Sequence, residues 1–432
     1  MTDIAGVPFV EADFDKAGNP QNPVVIPARA TDVFIISHGW NNNKQDAQEL
    51  YVRFFTNFAN LKGNFGFTDR ELAIIGIFWP SKEFDDLAFD IGQSNAATIG
   101  VRNDDDALIV AKLEELKRLF SDPAEIQKIN AARLAISAIE ASPKAREEFV
   151  SNIRSLLDPL AANDEDASDT FFRISEEELM ENLRIPIAAT ILPEATDGAA
   201  KLRGGSGSTI DEGGSAEIFN FLESFKTSAL NILNFTTYYE MKSRAGKVGN
   251  DGVAPLIDEL EAGVRRFHLI GHSFGGRLVS AATKASRTNK LASLTLLQAA
   301  FSHNGFSKIM NGFFRIVVDA GRIGGPVLIT HTKNDKAVGL AYPIASRINN
   351  DAAMAIGDES DKFGGIGRNG AQKMGIGEVD TKETVLREAG TKYAFSAGKF
   401  FNLLGDAFIK DHCDVTGKEV VNAVLNAVAE PK

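Results

Sequence analysis

The segment Phe267-His268-Leu269-Ile270-Gly271-His272-Ser273-Phe274-Gly275-Gly276 drives an apolar strand straight into a serine, with no loop between the strand and the helix-forming residues that follow. A run that is apolar at nearly every position suits a strand buried on both faces, and Gly276–Ala285, rich in small residues, suits a helix packed closely on a sheet. A strand that turns this abruptly into a helix puts the corner residue, Ser273, under backbone strain. Only very small neighbours two places before and after it leave room, and Gly271 and Gly275 fill those places.

The rest of the chain alternates in the same way. Asp32-Val33-Phe34-Ile35-Ile36 reads as a strand that ends in Ser37-His38-Gly39-Trp40. Asp46–Leu61 reads as a helix with Leu50, Val52, Phe54, Phe55 and Phe58, and Leu72–Pro80 as the next strand. Val253–Leu260 is expected to be helical and to lead into the serine strand, with further buried strands at Leu294–Ala300, Pro326–His331 and Lys399–Leu404 and a closing helix at Val415–Val428. Alternating buried strands and helices predict an α/β protein with a mostly parallel central sheet flanked by helices. At the N-terminus, Val7–Phe14 and Val24–Ile26 flank the turn-forming Asp15–Pro20 and predict a hairpin of edge strands.

Residues 82–248 interrupt the alternation. Helices are predicted at Asp105–Phe120, Pro123–Glu140, Pro143–Leu157 and Glu176–Leu183, with start signals in Ser121-Asp122-Pro123, Ser142-Pro143 and the spacing of Ser175 and Glu178. A glycine-serine tract, 204–215, is expected to be a mobile loop. The expected organisation is therefore two parts of one core, 1–81 and 249–432, separated by a large, mainly helical insertion at 82–248. That insertion is either a cap shaping a pocket or a solvated decoration.

With 432 residues, 44% of them hydrophobic, the chain can bury a large core. Its single cysteine, Cys413, excludes an intramolecular disulfide and disfavours a cysteine-based metal site. No signal peptide is visible and no stretch is long and apolar enough to span a bilayer, so the expected location is cytoplasmic, or exported by a route needing no such signal. A net charge of -12 argues against nucleic acid as a partner and favours a neutral small molecule over an anionic surface. Oligomeric state is left open.

A serine hydroxyl is a poor nucleophile until a base removes its proton, so Ser273 requires a histidine and a carboxylate to orient it. Six histidines are present. His38 and His268 sit in or beside strands and His272 sits in the corner itself, which suits structural roles. His303 and His331 follow late strands and could line a pocket. His412, in Asp411-His412-Cys413-Asp414 between the last strand and the last helix, is the preferred base. Asp335, shortly after an apolar strand, is the preferred acid. Asp319 precedes that strand, and Asp414 is too close to His412 to orient it. The oxyanion of a tetrahedral intermediate needs preorganised N–H donors. The amide of Phe274 and that of Trp40, in a loop that Gly39 allows to turn inward, are the candidates. The glycine-rich stretch 361–370 lacks the ending of a phosphate loop and is expected to form an ordered surface loop near the site's rim.

Taken together, Ser37-His38-Gly39-Trp40, Gly271-His272-Ser273-Phe274-Gly275-Gly276, Asn334-Asp335 and Asp411-His412 resemble the α/β-hydrolase superfamily, and within it the lipase-like and esterase-like serine hydrolases of bacteria. The resemblance covers about 24–80 and 250–428. It differs from the commonest pattern in placing its large insertion before the serine strand rather than after the following one. It implies a carboxylic ester hydrolase, using Ser273, Asp335 and His412 through an acyl-enzyme, without cofactor or metal, on a small-molecule ester or lipid substrate. Amidase or peptidase chemistry with the same residues, or a catalytically silent binding protein of this fold, are the alternatives.

Overall fold

A computed structural model of the chain describes residues 2–67, 69–81, 105–162, 164–184, 224–335, 345, 348 and 362–429. Its centre is one eight-stranded sheet of β1 (Thr2–Ile4), β2 (Val7–Asp13), β3 (Asp32–Ser37), β4 (Leu72–Phe78), β5 (Arg266–His272), β6 (Leu291–Leu297), β7 (Val327–His331) and β8 (Phe400–Leu404). The spatial order is β1-β2-β4-β3-β5-β6-β7-β8. Every neighbouring pair is parallel except β1 with β2. All strands from β2 onward therefore end at the same edge, and β5 lies in the middle.

Successive side chains of a strand point to opposite faces, and both faces here are apolar. Val33 and Ile35, Ala73 and Ile75, Leu269, Leu296 and Ile329 belong to one core. Phe34, Ile36, Ile74, Ile270, Leu297, Leu328 and Phe401 belong to the other. This explains why the strands read as unbroken apolar runs.

The second core is closed by α1 (Lys44–Leu61), which contributes Leu50, Tyr51, Phe54, Phe55 and Phe58, and by the last helix, Lys418–Ala429, with Val420, Val421 and Val424. The α1 start is fixed by a reciprocal cap: the Asn43 side chain accepts from the Asp46 amide at 2.9 Å, and the Asp46 carboxylate accepts from the Asn43 amide at 2.9 Å.

The other face carries the helices between β4 and β5, then the helix that follows Ser273. In chain order they are α2 (Asp105–Leu119), α3 (Pro123–Ala135), α4 (Pro143–Arg154), α5 (Ser168–Arg173), α6 (Glu176–Asn182), α7 (Phe225–Lys247), α8 (Ala254–Leu260) and α9 (Phe274–Ala285). Helix starts at Pro123 and Pro143 agree with the sequence signals, and the Ser175 hydroxyl caps α6 by accepting from the Glu178 amide. The helix expected to reach Glu140 ends at Ala135, the one expected to reach Leu157 ends at Arg154, and the closing helix begins at Lys418 rather than Val415. The glycine-serine tract at 204–215 lies outside the described residues.

Two expectations need correction. The hairpin partner of Val7–Asp13 is Thr2–Ile4, across a turn at Ala5 and Gly6 with φ of 50° and 80°, while its other side pairs with β4, and Val24–Ile26 forms no strand. Pro23 and Pro27 bracket that triplet and lack the N–H a ladder needs, and Val25 is 67% exposed. The glycine-rich stretch does not lie on the surface: residues 363–367 are buried, and Ile366–Asn369 makes one helical turn. No helix among the described residues is long and apolar enough to cross a membrane.

Candidate functional site

The parallel sheet brings four loops together at the edge where strands β3, β5, β7 and β8 end, which is where such sheets place ligand sites. At the centre, Ser273 joins β5 to α9 with φ 55 and ψ -124, a conformation that costs a non-glycine residue about 1–3 kcal/mol. The surroundings hold it there. Its amide donates to Leu297 O at 3.1 Å, and its carbonyl accepts from Gly276 at 2.9 Å and from Ala300 at 2.9 Å. A methyl group on Gly271 would overlap the Gly275 carbonyl, and one on Gly275 would overlap the Ser37 carbonyl and stand 2.5 Å from that of His38. Both glycines are thus required by close backbone approach.

His412, in the loop after β8, places Nε2 2.8 Å from Ser273 Oγ and Nδ1 2.8 Å from Asp335 Oδ2. With the carboxylate accepting, Nδ1 carries the ring proton and Nε2 is free to accept from the serine hydroxyl. Asp335 is fully buried, and Ser273 and His412 are 5% and 8% exposed. An ion pair formed here during proton transfer would be poorly screened by water.

A second set of polar residues holds Asp335 and His412 together. The Asn334 amide nitrogen donates to Asp406 O at 3.1 Å and Ile409 O at 2.7 Å, tying the loop after β7 to the loop that carries His412. Asp406 Oδ1 accepts from the Thr332 hydroxyl at 2.8 Å and the Lys333 amide at 2.9 Å. Arg368, from the glycine-rich stretch, donates to the carbonyls of Lys333 and Asp335 at 2.7 and 3.2 Å. Asp411 folds the base loop by accepting from the amides of Cys413 and Asp414.

The loop after β3 reaches Ser273 from the other side. Gly39 packs against it so tightly that a methyl group there would stand 2.5 Å from Ser273 Cβ. His38 braces this loop from within: its Nδ1 donates to Gly39 O at 2.9 Å, its ring stacks on Trp79 at 5.6 Å, and its amide donates to the Tyr51 hydroxyl at 2.9 Å. Burial pushes the His38 imidazole down to about 4. Asn42 donates to Trp40 O at 2.9 Å, and Asn41 turns through φ 59. The Trp40 amide has no hydrogen-bond partner among the described residues, and the Phe274 amide opens α9, where the first-turn N–H groups have no partner within the helix. Trp40, Phe274 and Tyr238 of α7 form a row of aromatic rings, with centroids 6.2 and 5.4 Å apart.

His268, His303 and His331 lie elsewhere. His268 bonds Ser293 Oγ at 2.8 Å and lies 3.5 Å from Asp32. His303 accepts from Asn369 at 3.1 Å, and His331 donates to Arg368 O at 3.3 Å. Asp319 pairs with Arg315, and Asp414 accepts from the Lys410 amide, so neither rival carboxylate orients His412. Among the described residues no group of three or more His, Cys, Asp or Glu is placed to hold a metal ion. A cavity of about 340 Å³ lined by Val7, Arg29, Phe65, Phe67 and Arg70 opens at the opposite edge, where β3 and β4 begin.

The described site belongs to an α/β sheet protein with a strained serine, a histidine and a buried carboxylate in hydrogen-bonded series. Comparison of the chain with protein-family models, with curated proteins and with solved structures finds no match.

Proposed function

We propose that this protein is a serine hydrolase of carboxylic esters, esterase-like or lipase-like, built on the α/β-hydrolase plan, with the helices between β4 and β5 as an insertion in that plan. The observation that carries the reading is the unbroken series from Ser273 Oγ through both ring nitrogens of His412 to the Asp335 carboxylate, 2.8 Å at each link. A structural histidine needs no strained serine at one end and no buried carboxylate at the other. The combination is what nucleophilic catalysis needs.

In the proposed reaction Ser273 Oγ attacks the ester carbonyl carbon while His412 Nε2 takes the hydroxyl proton. Asp335 stabilises the imidazolium that results. Charge develops on the former carbonyl oxygen, where the amides of Phe274 and Trp40 donate. One such donor lowers the barrier by about 3–4 kcal/mol. His412 then returns its proton to the alkoxide, the alcohol leaves, and Ser273 carries the acyl group. A water that gives a proton to His412 attacks this second ester, the acid departs, and Ser273 recovers its proton. The aromatic row of Trp40, Phe274 and Tyr238 favours an apolar acyl chain or an aromatic ester over a charged substrate.

The test is labelling by an active-site fluorophosphonate, alongside a panel of nitrophenyl esters of increasing acyl length and one amide analogue. Wild type should be modified on Ser273 and should turn over esters, and Ser273→Ala should do neither. Folded wild-type protein that takes no label and hydrolyses no ester would sink the proposal.

A further inference from the structure

We infer that His272, the residue before the serine, is a positioning residue for the base: it holds the main chain of His412 while Ser273 and Asp335 hold its ring. The inference rests on the serine-hydrolase reading of this site for its catalytic meaning, and on geometry alone for the contact itself.

His272 Nε2 lies 2.9 Å from the His412 carbonyl oxygen. A carbonyl can only accept, so Nε2 carries the proton and Nδ1 is left as a bare lone pair. That Nδ1 is buried and has no hydrogen-bond partner among the described residues. A methyl on Gly39 would stand 3.3 Å from it, so the ring is wedged between the loop after β3 and the loop carrying His412. A buried acceptor without a donor is a cost, and it is borne by a residue that a simple packing role could have filled with leucine. What histidine supplies and leucine lacks is the donated hydrogen bond.

Two consecutive residues of the corner thus grip the same histidine, Ser273 at the ring and His272 at the carbonyl, with Asp335 on the far nitrogen. Three attachments fix both the position and the tilt of the base, which is the condition for efficient proton transfer. The ionisable groups facing the His272 ring are His412, on the loop after β8, and His38, at the end of β3. Burial first, then the neighbouring His412 charge, pushes the His272 imidazole down to about 3. It therefore stays neutral, 4.9 Å in ring-centroid separation from a base that becomes cationic during acyl transfer.

The experiment compares wild type, His272→Leu and His272→Gln. Glutamine can still donate to the His412 carbonyl and leucine cannot. Fluorophosphonate modification of Ser273 is followed as a function of pH and probe concentration, beside ¹⁵N-histidine NMR of the downfield Nδ1–H of His412. Leucine should slow the limiting rate of modification about ten- to a hundredfold, leave half-saturation by probe unchanged, and broaden or abolish the His412 Nδ1–H signal. Glutamine should restore the signal and most of the rate. Equal effects of leucine and glutamine, or a His412 signal unchanged in the leucine variant, would overturn the inference. The NMR readout does not depend on reactivity: if wild type takes no label yet the signal behaves as stated, the hydrolase reading fails and the positioning role stands.

Discussion

Gly39 lies directly against Ser273: a methyl built on its Cα would stand 2.5 Å from Ser273 Cβ and 3.1 Å from Oγ. Only a residue without a side chain lets the loop after β3 approach Ser273 this closely. Gly39→Ala is therefore expected to push apart the serine and the loop that carries Trp40. Fluorophosphonate modification of Ser273 should fall about a hundredfold, with a loss of roughly 1–3 kcal/mol in urea unfolding. Modification at the wild-type rate would show that the close approach has no bearing on reactivity.

Asn334 is the clasp between the acid loop and the base loop, through its donations to Asp406 O and Ile409 O. Asn334→Ala strands two carbonyls and frees the chain next to Asp335. The expected cost is about 1–3 kcal/mol, with labelling slowed about tenfold as the carboxylate loses its fixed place beside His412. Asn334→Asp removes both donors at similar volume and should behave like alanine. A variant that retains full reactivity would mean Arg368 and Asp406 hold the loop unaided.

His38, His268 and His272 are buried in the neutral form, and this sets an acid limit on stability. Burial is the leading cause in each case: it lowers His38 to about 4 and His272 to about 3, and it lowers His268 against the opposing pull of Asp32. In the unfolded chain all three take a proton near pH 6.5. As pH falls from about 6.5 towards 4 the unfolded state gains protons that the folded state refuses, so stability present above that window is lost within it. The slope is about 1.4 kcal/mol per pH unit for a histidine that stays unprotonated, so His38 and His272 together approach about 3, and His268 acts in the same direction. Urea unfolding at pH 8, 7, 6 and 5 should give constant stability above 7 and a steep fall below 6. A flat profile across the series would contradict neutral burial.

How much of this was legible in the sequence depended on what kind of signal each part leaves. The β5 corner could be read because apolar strand, serine and glycines are consecutive, and the sheet because its strands are apolar on both faces. Helix α7 left no such trace. Its polar residues are buried with partners: Asn231 donates to Leu183 O, Lys242 pairs with Asp166, and Arg244 donates to Leu119 O. A helix packed all round has no polar stripe for periodicity to find. The stretch around Gly364 and Gly367 read as surface because glycine marks loops. Here it serves close packing, on the His303 ring and the Gln298 backbone respectively. The clasp at Asn334 and the grip of His272 join loops far apart in the chain, and no spacing rule encodes them.

The ion pair of Lys242 with Asp166, 2.5 Å apart with side chains 2% and 5% exposed, joins α7 to the turn before α5. Asp166 also accepts from the Ser168 hydroxyl at 2.6 Å. Both charges left water to form the pair, so the pair itself need add little. Removing one partner is different, because Asp166 then stays buried without its directly bonded cation, with Arg277 the remaining positive charge acting on it. Lys242→Met is expected to cost about 3–5 kcal/mol. Lys242→Met with Asp166→Asn, which removes the stranded charge and keeps an oxygen for Ser168, should recover more than half of that loss. Urea unfolding of the two variants beside wild type measures both terms. A single substitution costing under about 1 kcal/mol would mean that water reaches Asp166, and that the pair does not anchor this turn to α7.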